Sequence, residues 1–251
     1  MTKNCNSLLY QRLKAKGFRP THVAEIGVWH PQTSNIYQYI QDSIKTTLVE
    51  PDPNSIVLIK SQFADYKNVT LYECALCDFN GRVELCQRES STFVSSLSSS
   101  PALVNDDCNI EQAEKFTAEA RLFSEIDDGT IDLLSVDTEG SEWFVIKHMT
   151  SRPAVISIET HGGIYVNPYL DKLQQWMNDN NYKIWYKDKS DSVFVLSGTI
   201  SVSLIDKIRL FYSNLTIVYR AGKKRLGKII GKLYGSIVSK PSVHQESRKS
   251  I

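Results

Sequence analysis

Ile131-Asp-Leu-Leu-Ser-Val-Asp137-Thr-Glu139-Gly-Ser-Glu142 is a largely apolar run that delivers two carboxylates, Asp137 and Glu139, into a glycine turn. A short apolar run closed by a turn signal suits a strand buried on both faces, as strands of a parallel sheet are. In open α/β sheets ligands bind outside the carboxyl ends of the strands, and that is the position this segment gives Asp137.

Outward from this run, apolar stretches alternate with helix-like ones. Ser7 to Gly17 reads as a short helix capped by Ser7 and stopped by Gly17. Strands are predicted at His22 to Gly27, Thr46 to Glu50, Val69 to Leu76 and Ala154 to Glu159, with a helix over Ser34 to Ser43. A further helix starts at Pro53, where a missing N–H costs nothing, and reaches about Tyr66. Asn80-Gly81 turns into Arg82 to Cys86 as a hairpin would. Helices are predicted over Ser141 to Met149 and Pro168 to Asn180. The last two strands, Tyr182 to Lys187 and Ser192 to Ser197, lie too close together for a crossover and must be antiparallel. The pattern predicts an α/β, Rossmann-like, mostly parallel twisted sheet with a C-terminal antiparallel hairpin and helices on both faces.

Composition bounds the function. With 251 residues, 41% hydrophobic and 23% charged, the chain can bury one large core and reads as soluble. No run approaches the roughly 18 apolar residues of a membrane span, and Met1 to Asn6 lacks the apolar stretch of a secretory signal. Five scattered cysteines predict reduced thiols and a cytoplasmic location, and Cys74-Ala-Leu-Cys77 reads as strand-end packing. The net charge of +1 hides an asymmetry: residues 200–251 carry eleven Lys or Arg against Asp206 and Glu246, +9, leaving −8 on residues 1–199. Three regions follow: an N-terminal helix over 1–20, a catalytic body over 21–199 and a basic amphipathic tail over 200–251.

Three strand ends offer a ligand site. Gly27 permits close backbone approach, and Glu25 two positions earlier can accept from a ligand ammonium group. Only one glycine stands there, so the pyrophosphate cradle of nicotinamide-dinucleotide enzymes is missing. Glu50, 23 residues beyond Gly27, is placed to accept from a ribose diol, while Asp52 suits a helix cap. At the third strand end, Ala75 and Leu76 could wall an adenine with Asp78 near its exocyclic amine, or Asp78 could simply begin the Asp-Phe-Asn-Gly turn.

Taken together, Glu25-Ile-Gly27, Val49-Glu50-Pro51-Asp52, Ala75-Leu76-Cys77-Asp78 with Gly81, and above all Ile131 to Glu142 resemble the FkbM family of S-adenosylmethionine (SAM)-dependent methyltransferases, across roughly residues 20–198. The resemblance implies O-methylation of a sugar or natural-product hydroxyl. It makes Glu25 and Gly27 cofactor contacts, Glu50 the ribose partner and Ala75 to Asp78 the adenine wall. The chain departs from many methyltransferases in having Val28-Trp29-His30-Pro31 where further glycines stand.

Methyl transfer to a hydroxyl needs alignment of donor and acceptor, and a group that takes the proton. Asp137 joins the cofactor set, and His161, Asp137 and Glu159 form the expected catalytic set. Glu159 and His161, two apart, share a side if their strand continues, and His161 is the expected general base because its pKa lies near working pH. Two other readings stay open: Asp137, Glu159 and His161 could hold Mg²⁺, or His161 could be structural. Glu139 and Glu142 read mainly as favouring the start of the next helix. Seven serines among residues 89–100, with Phe93, Val94 and Leu97, suit either a segment packing over the cofactor or a surface loop. Tyr165, Asn167 and Tyr169 are candidates for an acceptor site or for a helix start.

The expected acceptor is a small hydroxylated molecule or a glycan. The acidic body disfavours nucleic acid, and the tail, over 204–238, could contact membrane peripherally. The competing readings are an NAD(P)-dependent oxidoreductase and a non-catalytic adaptor docking through its tail.

Overall fold

The computed structural model describes residues 7–88, 91–97, 99–105 and 113–238, with the side chains of Arg88 and of residues 231–238 left aside. Cys5, Cys108, Glu89, Ser90, Ser98 and the end of the basic tail lie outside the described residues.

Helix α1 (Leu8–Ala15) begins at Ser7, whose hydroxyl accepts from the Tyr10 N–H, and Gly17 takes φ +72° beyond its end. Strand β1 (His22–Ile26) leads through a 3₁₀ turn at Pro31–Thr33 to α2 (Tyr37–Gln41). This helix is shorter than predicted, because Ser34 and Asn35 turn back to bond Glu25 instead of starting it. Next come β2 (Lys45–Val49) and α3 (Pro53–Gln62), with Asp52 as N-cap accepting from the Asn54 and Ser55 N–H groups and Pro53 in the first turn.

The predicted third strand is in fact two. β3 (Val69–Tyr72) closes one edge of the main sheet, and β4 (Ala75–Leu76) belongs to a second sheet with β5 (Gly81–Arg88), β6 (Ser91–Val94) and β7 (Glu114–Arg121). That sheet has the order β4-β7-β5-β6, so β5 pairs with β6 and β7 rather than folding back on the preceding strand. The expected hairpin at Asn80-Gly81 is corrected accordingly: β7, arriving later in the chain, takes the place between β4 and β5. A short helix α4 (Pro101–Asn105) lies between β6 and β7.

The second half runs β8 (Leu133–Val136), α5 (Glu142–Ile146), β9 (Val155–Glu159), a two-stranded β10 (His161–Gly162) and β11 (Tyr165–Val166), α6 (Leu170–Asp179), β12 (Tyr182–Lys187), β13 (Asp191–Leu196) and α7 (Leu204–Val238). The main sheet has seven strands in the order β12-β13-β9-β8-β1-β2-β3. Strands β9, β8, β1, β2 and β3 are parallel, and β13 is antiparallel to both β9 and β12, as the short connection required.

Alternate residues of each strand face opposite layers, the period-two rule of pleated strands. Ala24, Ile26, Leu134, Val136, Ile156 and Ile158 pack with Val145 and Ile146 of α5 and Leu173 and Met177 of α6. Val23, Leu133, Val155 and Val193 pack on the other face with Leu9 and Leu13 of α1 and Tyr39 and Ile40 of α2. Helices therefore cover both faces, and α1 is built into the core of the body.

Candidate active site

The strand register lines up one row of residues at the carboxyl edge. Val49, Ile26, Val136 and Ile158 are successive partners across β2, β1, β8 and β9. The residue after each is Glu50, Gly27, Asp137 or Glu159, and β13 adds Asp191, the direct partner of Glu159. Four carboxylates and a glycine thus stand side by side, with Glu25 and Glu139 nearby. β2 lies to one side of β1 and the later strands to the other, so the row straddles the point where strand order reverses.

A cavity of about 230 Å³ opens there, lined by Glu25, Gly27, Trp29, Asn35, Glu50 and Asp137 among others. Gly27 has φ +80°, and a Cβ on it would stand 1.7 Å from the Asp137 carbonyl oxygen. What approaches this glycine is the neighbouring strand, where the sequence points to a ligand. Trp29 reaches φ +47° without being glycine, and its N–H and that of Val28 each donate to Glu50 Oε2 at 2.8 Å. The Asp52 N–H donates to Glu50 Oε1 at 2.9 Å. Glu50 accordingly knits the β1 and β2 exit loops together. A carboxylate offers about four acceptor positions, which leaves one free for a ligand donor.

Glu25 accepts from the Ser34 hydroxyl and from the Asn35 N–H at 2.8 Å, and burial raises its carboxyl pKa to about 7. Asp191, on β13, accepts from Ser157 at 3.0 Å and Ser190 at 2.8 Å, and burial raises it to about 6. Asp137 is exposed to solvent in the cleft, and its carboxyl is partly desolvated by the protein around it. That desolvation, followed by repulsion from Glu139, Asp191, Glu142 and Glu25, raises its pKa well above the usual range. Glu159 is raised likewise, by burial and then by Asp137, and its Oε2 is buried with no hydrogen-bond partner among the described residues.

Glu142, read from sequence as a helix-start residue, does brace the turn: its Oε1 accepts from the Thr138 N–H at 2.9 Å and the Gly140 N–H at 3.1 Å. It is also fully buried with Asn167 bonded to its other oxygen, and it faces the cluster. Asp137, Glu142 and Glu159 each present an oxygen within 4.8 Å of the others. Such oxygen donors suit a hard cation such as Mg²⁺. The set differs from the expected one in having Glu142 where His161 was placed.

His161 does not join these acids. The chain leaves the main sheet at Thr160, and His161 pairs with Val166 in the β10–β11 ribbon, so the two-residue spacing from Glu159 no longer fixes a shared side. Both ring nitrogens have partners: the Asp188 carbonyl lies 3.3 Å from Nε2 and the Thr160 hydroxyl 2.9 Å from Nδ1. One consistent assignment has Nε2–H donating to Asp188 and Nδ1 accepting from Thr160, a neutral ring, and burial lowers the pKa in agreement. Asp78, which the sequence leaves between an adenine contact and a turn start, lines neither the cleft nor the cavity beside it. It sits at the surface, ion-paired to Lys147 and 3.0 Å from His148 Nε2, and these hydrogen bonds lower its pKa.

Ala75 and Leu76 line a smaller apolar cavity with Val49, Pro51, Phe93 and Val94, and it shares Gly27 and Thr92 with the cleft. The serine-rich segment is there as the strand β6, its Phe93 1% exposed, and Thr92 and Ser91 reach Asp52 at 3.2 Å and Glu139 at 3.1 Å. Tyr165 is buried with its hydroxyl unpartnered among the described residues, and Tyr169 packs on Phe144 with ring centroids 5.4 Å apart. Cys74 and Cys77 lie in different apolar clusters, their thiols pushed by burial to about 12 and about 11, which fits packing. Ser34, Asn35 and Asp191 are site residues that the sequence reading does not predict. A polar Ser-Asn pair before the apolar face of α2 and an acid opening the last strand were the available signals.

A family model described as the methyltransferase FkbM domain matches residues 22–184. No curated protein matches the chain. Similar solved structures include precorrin-6y C5,15-methyltransferase from Geobacter metallireducens, 12% identical over 81% of this chain and 92% of that one, with a TM-score of 0.38. They also include ribosomal protein L11 methylase from Lactobacillus delbrueckii subsp. bulgaricus, 12% identical over 78% and 77%, TM-score 0.38. Fibrillarin from Aeropyrum pernix, solved with S-adenosyl-L-methionine, is 10% identical over 74% and 72%, TM-score 0.39.

Proposed function

The chain belongs to the FkbM methyltransferase family, and on that premise we propose that it transfers the methyl group of SAM to a hydroxyl of a small molecule or glycan. One observation carries the choice of cofactor: the cleft at the strand reversal is walled by Glu25, Glu50, Asp137 and Glu139, with Gly27 as its one glycine. A ligand bearing a sulfonium and an ammonium complements those acids. A dinucleotide pyrophosphate would meet them with no glycine-rich loop to offset the repulsion.

Glu25 then receives the methionine ammonium, Glu50 a ribose hydroxyl, and Ala75 and Leu76 one face of the adenine. The bound cofactor supplies an electrophilic methyl carbon. As the acceptor oxygen forms its bond to that carbon and the carbon–sulfur bond breaks, the hydroxyl proton passes to the Asp137 carboxylate. A raised pKa makes Asp137 a better base than an ordinary aspartate. His161, with both nitrogens engaged, positions the β10–β11 ribbon. The Glu159 oxygen, unpartnered among the described residues, favours a second reading, in which Asp137, Glu142 and Glu159 would hold Mg²⁺ and the ion would supply Lewis-acid activation of the acceptor hydroxyl.

The test combines thermal shift against S-adenosylhomocysteine and NAD with labelled-SAM transfer to a panel of hydroxylated acceptors. A shift with S-adenosylhomocysteine alone and label on oxygen are expected. Asp137→Asn should lower turnover by about 10²–10⁴-fold, and His161→Ala far less. Loss of activity in EDTA with recovery on Mg²⁺ selects the second reading. Label on nitrogen or carbon overturns O-methylation, and a shift with neither ligand supports a docking adaptor.

A further inference from the structure

The apolar side chains of α7 point the wrong way for a helix that serves only to cover the core. Its 35 residues span about 52 Å, and the helix packs on β12. Toward the body it turns Asp206, Leu210, Ser213, Ile217, Ala221 and Lys228, the described residues of the helix that lose exposure. Toward solvent it turns Ile208, Phe211, Leu215, Val218, Leu226 and Ile229, from 49% to 71% exposed. At about 100° per residue these six, with Leu204, Ile205, Tyr212, Tyr219 and Ile230, project onto one arc of about 140°.

Cations border that arc. Residues 204–238 hold eight Lys or Arg and one acid, Asp206, which pairs with Lys16 at 2.9 Å. Arg209, Arg220 and Lys223 project to one edge of the apolar arc and Lys207 and Arg225 to the other. Among the described residues, none of these five forms an ion pair. Beside the helix, Arg12, Lys187, Lys189, Arg209 and Arg220 line a cavity of about 480 Å³ with Asp188 as its one acid.

We infer that α7 is an interfacial helix that lays this face into an anionic phospholipid surface, with headgroup phosphates in the Arg12–Arg220 groove. An apolar face bordered by cations, carrying aromatic side chains near its rim, has the build of a helix lying in the membrane plane. No helix among the described residues is long and apolar enough to cross a membrane. A second copy of α7 would bring eight more cations against the same borders, and nucleic acid would leave the apolar arc in water. The inference stands apart from the methyl-transfer reading.

Flotation of the full chain with vesicles of phosphatidylcholine, with and without phosphatidylglycerol, tests it. Binding to the anionic vesicles only, weakening as salt rises, is expected. Arg209→Ala with Arg220→Ala should lower partitioning by about thirtyfold, and Leu215→Glu with Val218→Glu should abolish it, both with unchanged circular dichroism and melting temperature. The inference is overturned if the chain ignores anionic vesicles or if both double variants float like the parent. It is equally overturned by a dimer that Leu215→Glu with Val218→Glu dissolves without any flotation, or by duplex oligonucleotide binding that survives this substitution.

Discussion

At the scale of single residues, Gly27 and Glu50 show how the candidate site is held before any ligand arrives. Gly27 is required by two independent facts, its φ of +80° and the Asp137 carbonyl oxygen 1.7 Å from where a Cβ would stand. Gly27→Ala must therefore separate β1 from β8 at their ends. We expect a loss of about 3 kcal/mol or more in urea denaturation, together with weakened S-adenosylhomocysteine binding. A loss below about 1 kcal/mol would mean that the strand ends yield easily and that the glycine serves the ligand alone. Glu50 answers three N–H groups, so its conformation is fixed by the loops it would present to a ribose. Both residues were legible as positions at the carboxyl edge of the sheet because a glycine and an acid at strand ends are local features. Their second duties were not, since the partners come from other strands.

At the scale of elements, β6 decides whether Ala75 and Leu76 can meet an adenine. It is an edge strand of the second sheet, and its Thr92, Phe93 and Val94 line the same small cavity. Edge strands are the places where pairing opens at low free energy. Amides of residues 91–97 should exchange at least about tenfold more slowly with S-adenosylhomocysteine bound. Unchanged exchange in that segment, with binding demonstrated separately, would remove the adenine from this wall. The second sheet was the largest element-level surprise. β7 buries Ala118 and Ala120 while Lys115, Thr117 and Glu119 face out, a true period-two alternation. Alanine and charged residues have weak strand preference, so the pattern did not register. His161 shows the converse: a two-residue spacing fixes a shared side only as far as the strand continues, and β9 stops at Glu159.

At the scale of the whole molecule, buried acids dominate the pH response. Burial lifts Glu25 to about 7 and Asp191 to about 6, against ordinary values of 4.5 and 3.8, and raises Glu142 and Glu159 too, while Asp137, exposed to the cleft, is raised by desolvation and by its acidic neighbours. Over that interval the folded chain holds protons that the unfolded chain has released, so stability falls as pH rises from about 4.5 toward 7. Asp128 and Asp206 act in reverse, being lowered chiefly by hydrogen bonds to lysine and hydroxyl groups, but their stabilisation is lost only in more acidic solution. Melting temperatures of the ligand-free protein should therefore decline between about pH 5 and pH 7. S-adenosylhomocysteine, whose ammonium prefers ionised Glu25, should restore most at the upper end. A melting temperature that climbs with pH in the absence of ligand would contradict the buried cluster. The sequence by itself determined the parallel sheet, its antiparallel end, the two helical layers and the strand ends at which Glu25, Gly27, Glu50, Asp137 and Glu159 stand, because these follow from local periodicity and turn chemistry. Only the tertiary structure decided that Asp191 and Glu142 join those acids, that His161 and Asp78 turn to other partners, and that α7 leaves its apolar face outward. Register between strands and the packing of distant segments set those outcomes, and neither is written in any one stretch of the chain.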